Sequence, residues 1–228
     1  MTLATSRIVF QGETPYAHER EAIDFAIKAL PNNDPYHLWA LLELLDPSTG
    51  RLYELDLLVL GYSALYLVEI KSGPGIYEGD YQDWYRIDPD DERSRYMENP
   101  YRLTNHKSKV LASRLRSKMK DRRLTPWVEP LVFLSAENIE LRFKNHGDVG
   151  VVTRDNFVRA VQHHDFPGAD TSRHRRRISA PAARQVAAAM KALGLRPRKG
   201  KAHAGAYELG EILEDGPGYQ DRLAAHRK

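Results

Sequence analysis

Residues 53–71 read Tyr53-Glu54-Leu55-Asp56-Leu57-Leu58-Val59-Leu60, Gly61-Tyr62-Ser63, Ala64-Leu65-Tyr66-Leu67-Val68-Glu69-Ile70-Lys71. Two strands joined by a tight turn account for this pattern. Side chains alternate across a strand, so Glu54, Asp56, Leu58 and Leu60 are expected to share one face, and Leu65, Leu67, Glu69 and Lys71 one face of the next. A two-residue loop at Tyr62-Ser63 sets the register. Leu60 then faces Leu65, Leu58 faces Leu67, Asp56 faces Glu69 and Glu54 faces Lys71. A one-residue slip would separate the charged sets. Two opposed carboxylates repel unless a cation neutralises them, so this register either costs stability or binds metal. A hard divalent ion such as Mg²⁺ (or Mn²⁺) takes carboxylate oxygens. A lysine beside it could orient or deprotonate an attacking water, or stabilise a phosphate transition state. Charges at period two also occur on solvent-facing strands, but the four leucines mark this face as partly buried.

Outward from this hairpin, the chain alternates helix and strand signals. Apolar Ala22, Ile23, Ala26, Ile27 and Leu30 recur at three- and four-residue steps, predicting a helix over Glu19–Leu30 that Pro31 stops. A strand is expected over Tyr36–Leu45, with a turn at Asp46-Pro47-Ser48-Thr49-Gly50. Beyond Gly73-Pro74-Gly75, short strands are expected at Ile76–Tyr77 and Asp83–Ile87, then a loop. Asn99-Pro100 breaks the chain before a basic helix, Leu103–Arg122. Val128–Leu134 reads as a buried strand, Val149–Val152 as another, and Arg154–Gln162 as a helix. Pro181–Leu193 is an alanine-rich helix closed by Gly194. This order is mixed α/β, with the chemistry on the second and third strands.

With 228 residues the chain can hold one large domain or two small ones, and 42% hydrophobic against 29% charged residues is too apolar for disorder. The absence of cysteine excludes disulfides, a thiol nucleophile and thiolate zinc sites. No apolar run approaches a membrane span and the first residues carry no signal core, so a cytoplasmic protein with no membrane partner is expected. The net charge of +3 is uninformative, but its distribution is not. Residues 102–123 carry nine Lys/Arg and one acid, whereas residues 78–98 carry eight acids and three arginines. Lys107, Lys109 and Arg114 on the basic helix, and Arg173, Arg175, Arg176 and Arg177 beyond it, are the candidates for nucleic-acid phosphate contact. A solvated helix face and a basic loop are the competing reading. The nine histidines are scattered, and Trp39, Trp84 and Trp127 suit packing better than base stacking.

Asp56, twelve intervening residues and Glu69-Ile70-Lys71, after a helix bearing Glu19, resemble the PD-(D/E)xK nuclease superfamily. Glu54-Leu55-Asp56, Gly75, Gly79-Asp80 with Trp84, and Asn99-Pro100 before a helix are similar to one branch, the nuclease-related (NERD) domain, over about residues 13–135. The resemblance implies a restriction-endonuclease-like core, a mixed central sheet flanked by helices. It also implies Asp56, Glu69 and the Ile70 carbonyl as ligands of Mg²⁺ or Mn²⁺, Lys71 as the catalytic lysine and Glu19 as the completing acid. The glutamine that often follows Asn-Pro in the family is absent, with Asn105 or Lys107 as candidates to replace it. A second likeness lies in residues 207–221, which resemble the opening strand and glycine-rich turn of a protein kinase N-lobe. The expected organisation is a nuclease-related domain over residues 1–195, a basic linker over 196–205 and the start of a kinase lobe over 206–228. Nuclease-related domain, basic linker and kinase start, in this order, are similar to kinases of bacterial anti-phage systems of the phage-growth-limitation and BREX type. The implied function is metal-dependent cleavage or nicking of DNA. The alternative is a non-cleaving module that senses DNA or a partner and regulates the kinase. ATP is implied only for kinase parts this chain lacks, and other anti-phage proteins are possible partners.

Overall fold

The structure, a computed structural model, describes residues 2–170, 172, 177–199, 202–204, 207–216 and 219–226. In chain order it runs β1 (Ile8–Gln11), α1 (Ala17–Ala29), β2 (His37–Leu45), β3 (Leu52–Leu60), β4 (Ala64–Lys71), β5 (Gly75–Gly79), β6 (Asp83–Ile87), β7 (Ser94–Glu98) and α2 (Pro100–Lys118). It continues through β8 (Trp127–Leu134), β9 (Ile139–Phe143), β10 (Val151–Thr153), α3 (Phe157–His163), α4 (Ala180–Ala192), β11 (Arg196–Pro197), β12 (Ala202–Ala204), β13 (Tyr207–Gly216) and β14 (Tyr219–His226).

The central sheet has the order β1-β2-β3-β4-β8-β10, with β11 also paired to β2. β2, β3 and β4 form an antiparallel meander, and β8 and β10 add in parallel. The sheet is therefore mixed and covered on both faces. On one face Leu57, Val59, Tyr66 and Val68 pack against Ala22, Ile23 and Ala26 of α1 and against Phe157 and Val161 of α3. On the other, Leu58, Leu60, Leu65 and Leu67 meet Leu111 and Leu115 of α2 and Val186 and Met190 of α4. The apolar run of β8 is long because both its faces are buried. This is the expected fold class, a PD-(D/E)xK-like α/β core.

Between β4 and α2 the acidic region forms a second sheet, β7-β6-β5-β9. Its strands β7 and β9 lie in stretches too charged to read as strands. Trp84 and Tyr77 are buried beneath it with Val132 and Leu134, and Trp39 is equally buried in the core, whereas Trp127 is 52% exposed. Asn99 explains the break before α2. Its side chain accepts from the Tyr101 N–H and donates to the Tyr81 carbonyl, both at 2.9 Å, while Pro100 opens the helix.

The hairpin register is as the two-residue loop requires: Leu57–Leu60 pair with Val68–Leu65. Two expectations about it fail. The ladder ends at Leu57 and Val68, so Asp56 does not pair with Glu69, nor Glu54 with Lys71. The face assignment also changes, since Tyr53 and Leu55 join the same cluster as Leu58 and Leu60. The alternation thus shifts phase around Asp56, opposite the place in β2 where Leu41 has a left-handed φ of 55°. Neither residue appears in the β2–β3 pairing, which resumes at Leu42 and Leu55.

Part of the segment expected as linker, 196–205, is sheet. β1 pairs with residues 38–40 of β2, and β11 takes the next stretch of the same edge, opposite Leu42 and Glu43. The Arg198 N–H donates to the Leu41 carbonyl at 2.7 Å, and the Arg198 carbonyl accepts from Glu13 at 2.9 Å. A two-residue strand inside a basic, proline-containing run leaves no periodicity to read. Beyond it, β12, β13 and β14 form a separate antiparallel sheet.

Candidate functional site

Past Leu57 and Val68 the two central strands diverge. β3 continues along β2 to Leu52, while β4 continues along β8 to Lys71. A fork opens between them, and side chains replace the missing ladder. Asp56 Oδ2 accepts the Ile70 N–H at 2.9 Å across the gap. Beside it, Glu69 receives two lysines. Lys71 Nζ lies 2.9 Å from Oε1, and Lys107 Nζ reaches in from α2 to 2.9 Å from Oε2. Lys107 is only 6% exposed, so this ammonium is a buried partner of the carboxylate.

The other side of the fork is built around Arg198, which is 7% exposed. Its Nη2 bonds Glu19 Oε2, from the first turn of α1. Its Nη1 lies 3.3 Å from Asp56 Oδ1 and 3.5 Å from Glu54 Oε2. The Thr14 hydroxyl donates to Glu19 at 2.5 Å, fixing the carboxylate from the loop before the helix. One guanidinium thus bridges three acids from two elements, the geometry to which a planar fork of donors is suited.

The electrostatics divide the two central carboxylates. Burial, and then the negative Glu69 and Glu19, push Asp56 up to about 7, against the opposing pull of Lys107 and the Ile70 N–H. Burial acts on Glu69 in the same direction, but Lys71 and Lys107 reverse it and hold Glu69 down at about 2. Lys71 is raised: desolvation works against its charge, and Glu69 and Asp56 more than offset it. The fork therefore keeps one firmly ionised carboxylate and one poised near neutrality.

The structure brings Glu19, Asp56, Glu69 and Lys71 into one cluster, with the Ile70 N–H directed to Asp56. The basic candidates are scattered. Lys107 is inside the cluster, bonded to Glu69. Arg114 donates to the carbonyls of Leu45 and Leu193, the latter at 2.6 Å, and ties α2 to the end of α4. Lys109 and Arg177 are exposed, with the Arg177 guanidinium 5.5 Å from the Tyr62 ring centre. Arg173, Arg175 and Arg176 lie outside the described residues. Sequence reasoning missed Arg198 and Thr14, because nothing marks one arginine of a basic run as the buried one.

A divalent ion does not fit this arrangement. Glu19 and Asp56 are bonded to Arg198, Glu69 to two lysines, and among the described residues no group of three Asp, Glu or His side chains stands ready to hold a metal. The cationic partners of the acids come from the protein.

A mixed sheet with helices packed on both faces is the core of the PD-(D/E)xK class. Within that class the chain belongs to the nuclease-related domain family, whose profile matches residues 14–135. It is also similar to the protein named "Probable kinase PglW" of Streptomyces coelicolor, with 32% identity over 215 residues. That match covers 94% of this chain and 13% of the relative's length. No solved structure matches. Among the described residues, no helix is long and apolar enough to cross a membrane.

Proposed function

We propose that this chain is the nuclease-related part of a cytoplasmic anti-phage defence kinase, and that it senses DNA and regulates that kinase without cutting the DNA. The observation that carries this reading is the pairing of the fork's carboxylates with Arg198, Lys71 and Lys107. A metal-dependent nuclease needs those oxygens for Mg²⁺ or Mn²⁺. Phosphate contact would fall to exposed cations such as Lys109, Arg116, Lys118 and Arg177, which suit sequence-independent binding.

The likeness to a protein named as a kinase supports the second half of the reading. So does the tail. β13 ends at Gly216 and β14 starts at Tyr219, so the glycine-rich stretch joins two paired strands, as at the start of a kinase N-lobe. ATP would bind with kinase motifs that residues 206–228 do not contain, and other defence proteins would be its partners. A second reading, metal-dependent nicking, is favoured by the assembly of Glu19, Asp56, Glu69 and Lys71 in one fork. Incubation with supercoiled plasmid and Mg²⁺ or Mn²⁺ separates the two. The expected result is a mobility shift that weakens with salt and leaves the plasmid intact. Nicking that Asp56→Ala abolishes would overturn the sensing reading in favour of the second.

A further inference from the structure

Three features converge on the edge of β2. Arg198 enters the fork and reaches Glu19, Glu54 and Asp56 with one guanidinium. Leu41, whose carbonyl accepts the Arg198 N–H, holds a left-handed φ of 55°, which a leucine adopts only when its surroundings impose it. Gly12 lies against the same segment: a Cβ there would stand 2.6 Å from the Arg198 nitrogen and 2.9 Å from its carbonyl oxygen. Backbone and side chain together thus form a fitted seat for residue 198. The seat is nevertheless shallow in ladder terms, because β11 is two residues long.

We propose that Arg198 is an intramolecular stand-in for the metal: it holds the cation position of the fork, and a divalent ion is admitted only when residues 196–198 leave the edge of β2. This rests on the reading that the domain does not cut in its folded arrangement, and gives that reading a cause. While seated, the guanidinium places its positive charge against Glu19, Glu54 and Asp56 at once. A divalent ion could not share those oxygens, since two cations in contact in a buried site repel strongly. Withdrawal would leave four acids facing only Lys71 and Lys107, an arrangement with spare negative charge that hard cations favour. Arg198 also lies four residues before β12, so displacement of the C-terminal segment would act on it directly through the chain.

The test uses the full 228-residue chain and Mn²⁺ alone, read by calorimetric titration and by melting temperature. The wild-type protein should show no saturable Mn²⁺ binding at millimolar concentration and no shift in Tm. Arg198→Gln should bind Mn²⁺ and gain several degrees in Tm on its addition, and a further Asp56→Asn change should remove that gain. If Arg198→Gln is unfolded in metal-free buffer, Mn²⁺ should restore its circular dichroism spectrum. Equal Mn²⁺ binding by wild type and Arg198→Gln would overturn the proposal, as would a variant that Mn²⁺ neither binds nor refolds. Plasmid nicking by the wild type is a separate readout. It would remove the sensing reading, whereas an Arg198→Gln protein without new metal affinity removes only the role given to Arg198.

Discussion

At the scale of single residues, Asp56 and Glu69 carry opposite pH dependences. A carboxyl raised from 3.8 to about 7 contributes stability in its protonated form, fully present below pH 3.8 and lost as pH rises through 7. Glu69, lowered from 4.5 to about 2, contributes above pH 4.5 and loses that contribution as pH falls through 2. From pH 5 to pH 8, then, Asp56 is the one of the pair that changes. Asp56→Asn keeps an oxygen for the Ile70 N–H and cannot ionise. Its stability relative to wild type should therefore rise between pH 5 and pH 8, by about 1–3 kcal/mol in metal-free denaturant titrations. Parallel pH profiles for the two proteins would mean that Asp56 is ionised throughout. The sequence placed these two carboxylates on neighbouring strands, since the two-residue loop dictates the register. It could not show the fork, because the end of a ladder depends on what the outer strands pair with.

At the scale of elements, α2 shows how one basic helix divides its charges by direction. Its apolar Leu111 and Leu115 face the sheet, which turns Lys107 and Arg114 inward and Lys109 outward. Arg114→Ala should cost about 1–3 kcal/mol, because two backbone carbonyls lose a charged donor. Lys109→Ala should leave the melting temperature unchanged and flatten the salt dependence of the proposed DNA binding by about one phosphate contact. Fluorescence anisotropy over a salt series, beside thermal melts, distinguishes the two. The prediction fails if Arg114→Ala changes the salt slope without changing stability. The same helix illustrates what periodicity conveys: its existence and buried stripe were readable, but the side on which each cation emerges was fixed by α4 and β8 packing against it.

At the scale of the whole molecule, the boundary of the nuclease-related domain should run through Lys199. A chain ending at residue 199 should melt close to the full-length protein, since β12–β14 form a sheet of their own. A chain ending at residue 195 loses β11 and Arg198 and leaves Glu19 and Asp56 without their cation. Removing one partner of a buried ion pair costs about 3–5 kcal/mol, so this shorter chain should melt many degrees lower or fail to fold at neutral pH. Similar melting of both truncations would place Arg198 outside the folded unit.

Most of the central architecture was determined by local order alone. The strands over residues 37–45, 52–60, 64–71 and 127–134 and the helices over residues 17–29, 100–118 and 180–192 announce themselves, to within a few residues at their ends, through apolar spacing, Asn-Pro and Gly-Pro punctuation and the tight turn at Tyr62-Ser63. These signals are short-range, because they arise from the backbone preferences and burial pattern of neighbouring residues. The charged strands β7 and β9 and the two-residue β11 were decided only by the partners they meet, since a strand on an edge or in a small sheet needs no apolar alternation. The site divides in the same way. Asp56, Glu69 and Lys71 lie within sixteen residues of one another, and their meeting in one place was readable from the hairpin. Arg198 stands 142 residues from Asp56, and its role exists only because the tertiary fold closes that distance to 3.3 Å.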